Sequence, residues 1–137
     1  MDTGMIMAAR ARVNALPEPT ERRLPAMLIG RDALLVERVV SAQADHRADA
    51  ARSAPTQEDV AAALSLVEEM RTQLERLEAQ VVQLAKVRQM TWPQIAAAQH
   101  HRSPQAATQR YQRLVTRLTE REGGIGPEFP LAGGRDA

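Results

Sequence analysis

At 137 residues and a formal net charge of +1, the chain has room for one small domain with extensions, and its bulk charge favours no particular partner. Its three aromatic residues, Trp92, Tyr111 and Phe129, exclude a thick aromatic core, and the lack of cysteine excludes disulfides and thiolate metal sites. No apolar run approaches the roughly 20 residues that span a bilayer, and helix-forming Ala, Leu, Arg, Gln and Glu dominate without sustained period-2 alternation, so an all-α fold is expected.

Residues 1–30 carry Gly4, Pro17, Pro19, Pro25 and Gly30 without clean periodicity. They are expected to be largely disordered, with a helical turn around Ile6 to Val13. Met5 to Ala9 is too short an apolar stretch for a secretory signal; Arg10 and Arg12 give only a faint presequence character, and a cytoplasmic location is expected. Residues 31–55 read as a helix and linker. Leu35, Val39 and Ala42 share one face, Asp32 suits a first turn, and Ser53-Ala54-Pro55-Thr56 breaks the chain.

Residues 56–89 hold the longest regular pattern, opened by Thr56 as cap with Asp59 three residues on. Val60, Val67, Leu74 and Val81 occupy heptad position a, and Ala63, Met70, Leu77 and Leu84 occupy d. Valine at a with leucine at d in the second half favours two parallel strands, hence a homodimer through 60–84. A hairpin within one chain stays open as well, because Leu64 and Leu66 widen the stripe and the preceding helix can fold back on it.

After a corner at Met90-Thr91, the T-x-x-Q pattern of Thr91 and Gln94 is a capping box, and Pro93 sits in the first turn of a helix running to about Gln99. His100-His101-Arg102 is the turn. Ser103 caps a further helix, with Pro104 at its first position, that continues to about Arg121. Residues 81–121 thus form a helix-turn-helix domain that shares its first helix with the long one, and the glycine-rich 122–137 is a flexible tail.

Charge is unevenly spread. Glu58, Asp59, Glu68, Glu69, Glu75 and Glu78 outweigh Arg71 and Arg76 in the long helix, whereas Lys86, Arg88, Arg102, Arg110, Arg113, Arg117 and Arg121 face Glu120 alone further on. In the last helix Ala107, Tyr111, Leu114 and Leu118 recur at helical spacing and point inward, toward Trp92, Ile95 and Ala96 and toward Leu84 or Val87. The opposite face shows Gln105, Thr108, Gln109 and Gln112, flanked by Arg102, Arg110, Arg113 and Arg117. Glutamine can pair with adenine in the major groove, threonine can meet a thymine methyl, and arginine neutralises phosphate or reaches guanine. Ser103 and the free N–H groups beside it suit one phosphate oxygen. No acid lies between Arg88 and Glu120 to repel a polyanion.

Trp92, Ile95, Ala96, Arg102, Ser103, Arg110, Tyr111 and Leu114 resemble in spacing the Myb/SANT-like branch of the homeodomain-like helix-turn-helix domains, and the segment 81–118 is also similar to short modules of bacterial regulators. Tyr111 stands where that family often has Trp, and His100-His101 where Gly or Asn is frequent. The resemblance implies double-stranded DNA as partner, with the base-reading positions on Gln105, Thr108, Gln109 and Gln112, and a transcription regulator or nucleoid-associated protein as function. A non-DNA coiled-coil adaptor and a phage-type packaging or recombination accessory are the alternatives. No glycine-rich phosphate loop, nucleophile elbow or acid–His pair at helical spacing is present, so no catalytic, metal, cofactor or small-molecule site is expected.

Overall fold

The computed structural model describes residues 3–122. Among them are five helices and no strand: α1 (Thr3–Asn14), α2 (Leu24–Ala48), α3 (Gln57–Val87), α4 (Trp92–Ala98) and α5 (Pro104–Glu122). The all-α expectation holds. The expected tail lies, beyond Glu122, outside the described residues.

Two departures concern the first 30 residues. Helix α1 forms where a single turn in a disordered segment was expected, because Ala8, Ala9, Ala11 and their Met and Arg neighbours favour helix; it buries none of its residues. Helix α2 starts at Leu24, seven residues ahead of the expected Arg31. Pro25 had pointed to irregular chain, but it occupies the first turn, where a missing N–H has no helical partner to lose. Asp32 is consequently not a first-turn acid. It lies a third of the way along α2, 3% exposed, with Arg31 Nε 3.5 Å from its carboxylate.

The link 49–56 is short, so α2 turns back and packs along α3 as an antiparallel hairpin. Thr56 starts α3 through a complete capping box: its hydroxyl accepts from the Asp59 N–H at 3.1 Å, and the Asp59 carboxylate accepts from the Thr56 N–H at 2.8 Å. The hairpin uses only half of the heptad stripe. The d positions Ala63, Met70 and Leu77 and the a position Val67 are half-buried, while the a positions Val60, Leu74 and Val81 and the d position Leu84 stand exposed. A two-stranded coil needs both, so α2 has taken a flank that the homodimer expectation assigned to a second chain. The fully buried residues of the hairpin are Pro25, Asp32, Thr72 and Gln73 besides those under α5. Gln73 is tied to Glu69 (2.7 Å) and receives Arg76 Nη1 (3.2 Å), which satisfies its amide inside the helix pair.

Helix α5 packs on another side of α3. Ala79 and Val82 of α3 cluster with Tyr111 and Leu118, while Ile95 and Ala96 of α4 cluster with Ala107; Trp92 joins both groups. The expected α3 contacts, Leu84 and Val87, are instead 57% and 71% exposed. Small Ala79 lets α5 pack close, whereas the larger Leu84 lies on the heptad stripe, on a different side of the helix. The ring centroids of Trp92 and Tyr111 are 6.1 Å apart and tilted by 45°, and Lys86 Nζ lies 4.9 Å above the Trp92 ring.

Candidate nucleic-acid interface

Two helix ends of the same design set the corner. α3 closes with the Gln89 N–H on the Lys86 carbonyl (2.9 Å) and the Met90 N–H on that of Ala85 (3.0 Å). α4 closes likewise, with the His100 N–H on Ala97 (3.1 Å) and the His101 N–H on Ala96 (2.8 Å). Both are Schellman motifs, and the left-handed residue each requires is Gln89 (φ 66°) or His100 (φ 62°) rather than glycine. Between them Thr91 accepts from the Gln94 N–H (3.3 Å) and Gln94 Oε1 from the Thr91 N–H (2.8 Å), completing the second capping box. Ser103 Oγ then accepts from the Ala106 N–H at 3.1 Å and starts α5. Seven residues of α4 and five of link therefore hold α5 at a fixed angle.

Helix α5 has three distinct surfaces. Ala107, Tyr111, Leu114 and Leu118 form the buried ridge. Opposite it Gln105, Gln109, Gln112 and Arg113 are exposed. Gln109, Gln112, Arg113, Thr116, Arg117 and Glu120 line a shallow groove there. Thr108 stands apart from this face, half-buried, with its hydroxyl donating to the Pro104 carbonyl at 3.0 Å.

The third surface is an arginine flank, and the sequence reading misjudged its surroundings. Arg110 grips Glu78 in a two-pronged pair, Nε to one oxygen and Nη2 to the other at 2.7 Å. Gln99 Nε2 adds a 3.4 Å contact to the same carboxylate. Arg117 Nη2 meets Glu75 at 2.7 Å, and Arg121 Nη2 meets Glu69 at 3.5 Å. As α5 ascends, its α3 partners descend, so the helices run antiparallel and the pairs form a ladder between them. The bond that Arg110 donates to Glu78, assisted by the charges of Glu78 and Glu75, raises the Arg110 pKa above its ordinary value against a smaller opposing effect of burial.

Although no acid lies in the sequence between Arg88 and Glu120, folding brings three beside α5. Of the arginines expected to meet phosphate, Arg110 and Arg117 are engaged with carboxylates. Arg102 and Arg113 are exposed without a carboxylate partner among the described residues, as is Arg88 at the end of α3. The signal for the ladder was the pairing of an acidic block with a following basic one. Each block alone looked like a solvated or polyanion-seeking face; together they are complementary. Thr116, also exposed on the glutamine face, was missed because the base-reading positions chosen on that face ended at Gln112, with only arginines taken beyond it.

No protein-family model, curated protein or solved structure matches the chain.

Proposed function

We propose that the chain binds double-stranded DNA, as a homodimeric transcriptional regulator or nucleoid-associated protein of the cytoplasm, with α5 in the major groove. One observation carries this reading: Gln105, Gln109, Gln112 and Arg113 project together from the solvent face of a helix whose opposite ridge is anchored by a helix-turn-helix corner. The glutamines supply paired donor and acceptor groups for adenine, and Arg113 supplies a fork for guanine or phosphate. Arg102 beside the α5 N-terminus, together with the Ser103 hydroxyl hydrogen, offers a phosphate clamp. The resemblance to Myb/SANT-like helix-turn-helix domains supports the same face, except at Thr108, whose hydroxyl serves its own helix. Because Arg110 and Arg117 are held by Glu78 and Glu75, this reading gives them a part in fixing α5 on α3 and leaves phosphate contact chiefly to Arg102, Arg113 and Arg88.

The test is a fluorescence anisotropy titration of labelled duplex at two salt concentrations, with wild type and the Gln109→Glu, Arg113→Glu double variant. The expected result is binding that weakens steeply with salt and falls by roughly 10- to 100-fold or more in the variant while its helical circular dichroism is retained. Salt-insensitive binding, or none at micromolar protein, overturns the reading.

A second reading, a helical adaptor that does not use DNA, is favoured by the open a flank of α3 and by the ladder that neutralises three arginines. It predicts that the same double variant retains every partner of the wild type. An accessory role in phage DNA packaging or recombination keeps the DNA contact and differs only in setting.

A further inference from the structure

The hairpin of α2 and α3 leaves one broad side uncovered. On α3 the open strip is Val60, Leu74 and Val81, which are 45%, 59% and 63% exposed, with half-buried Val67 between the first two. On α2 the matching strip is Ala26, Ala33 and Val40, all exposed. Each strip lies about a quarter-turn clockwise of its helix's contact line, viewed from that helix's own N-terminus. In an antiparallel pair of right-handed helices, strips placed in this way fall on the same side of the pair. They form one surface with no charged residue among these six. Its apolar area is on the order of 600 Å², at the top of the range of the largest exposed patch on a monomer, a size at which such patches are often functional.

The two strips differ in relief. That of α2 is low, built largely on alanine, and that of α3 is a ridge of valine and leucine. Rotation by a half-turn about an axis along the helices sets the ridge of one copy on the low strip of another, and the reverse contact follows by symmetry. Pairing buries on the order of 1,200 Å² over both copies, the size at which a specific interface becomes stable. We propose that two copies associate through this side of the hairpin, α3 of one seated on α2 of the other, as a four-helix bundle. This deepens the homodimer reading and rests on it: α2 contributes half of the interface, where a two-stranded coil through 60–84 would use α3 alone. A half-turn about the helix direction keeps residues at their own height, so Leu74 of one copy meets the level of Ala33 of the other. Both α4–α5 units then sit at one end of the bundle.

The experiment uses the full chain, which has no cysteine of its own. Light scattering after size exclusion is expected to show twice the 15.1 kDa chain mass for the wild type. Leu74→Glu and Ala33→Glu are each expected to raise the dimer dissociation constant by about 100-fold or more, since each buries a charge at the seam. Mixed under oxidation, Ala33→Cys and Leu74→Cys chains are expected to yield a disulfide-linked heterodimer in preference to either homodimer; this readout stands even where a glutamate variant fails to fold. A wild type that stays monomeric at about 100 µM overturns both the bundle and the homodimer reading. A dimer that Leu74→Glu disrupts and Ala33→Glu spares, without the mixed disulfide, overturns the bundle and leaves the homodimer standing. The DNA titration is read separately and depends on neither outcome.

Discussion

The two ends of α3 are packed by different means. At its C-terminal end apolar side chains close on one another: Ala79, Val82, Ile95, Ala96, Ala107, Tyr111, Leu114 and Leu118 are the buried hydrophobic residues of the described chain, apart from Pro25, and all belong to the assembly of α3, α4 and α5. Along the hairpin with α2, burial falls on Asp32, Thr72 and Gln73, while Leu74, Val81 and Val40 face solvent. The first region has a small closed core, which suits a part that must hold α5 at a set angle. The second has polar residues at its most buried positions, half-buried apolar residues such as Val36, Met70 and Leu77 around them, and further apolar residues left to solvent on one side. One helix thus serves as core on one side and as unfilled surface on another.

The sharpest way to break this contrast is to shorten one leucine in each region. Leu114→Ala removes three carbons from a site 1% exposed and is expected to lower unfolding free energy by about 2–5 kcal/mol. Leu74→Ala, at a site 59% exposed, is expected to cost under about 0.5 kcal/mol when measured at protein concentrations below those at which copies associate. Urea unfolding followed by circular dichroism checks both. Similar losses at the two sites would show that α2 covers Leu74 far better than its exposure indicates.

The ladder between α3 and α5 gives the next effect. Glu78→Gln removes the carboxylate that holds both Arg110 and Gln99, and is expected to lower stability by about 1 kcal/mol, the scale of a well-formed but partly exposed pair. Under the DNA reading the freed Arg110 adds one phosphate contact, so binding tightens and its logarithmic salt slope steepens by about one. Loss of stability with no gain in affinity would confine the ladder to holding α5 in place.

What could be read from the sequence followed range. Caps are local: Thr56 with Asp59, Thr91 with Gln94, and Ser103 before Pro104 each announce a helix start within four residues, and α3, α4 and α5 begin at those caps. The buried ridge and glutamine face of α5 followed from periodicity within one helix. The α3 surface that receives α5 did not, because Leu84 and Val87 are larger than Ala79, and the alanine gave no sign that it marks the side on which α5 packs. Pro25 was ambiguous for a similar reason: it ends a helix from within but fits its first turn, and only the packing of α2 on α3 decides between them. The ladder joins residues 32 to 52 positions apart, beyond any helical period.

His100 tests the corner with a smaller effect. Its left-handed φ of 62° strains a side chain with a Cβ, and its ring is exposed. His100→Gly is expected to raise stability by about 0.5–1 kcal/mol, the relief of strain exceeding the added freedom of the unfolded chain. Gln89→Gly at the end of α3 should behave alike. Thermal unfolding measures both; a lower midpoint in either would mean that the side chain makes up for the strain.

Tyr111 gives the smallest effect and the most specific one. It packs against Trp92 in the closed core, and burial pushes its hydroxyl pKa above the ordinary value of 10. The folded chain therefore keeps the phenol proton at a pH where the unfolded chain has begun to lose it. With fewer protons on the unfolded state, stability falls as pH rises, beginning near the unfolded pKa and ceasing to change once the folded group ionises as well. Below that window the phenol is neutral in both states and contributes no slope. Unfolding free energies of wild type and Tyr111→Phe should accordingly run parallel at neutral pH and diverge above about pH 10, the wild type losing stability that the phenylalanine variant keeps. Curves that stay parallel would mean that the hydroxyl reaches water, and that the core is less closed at α5 than Leu114 and Leu118 make it.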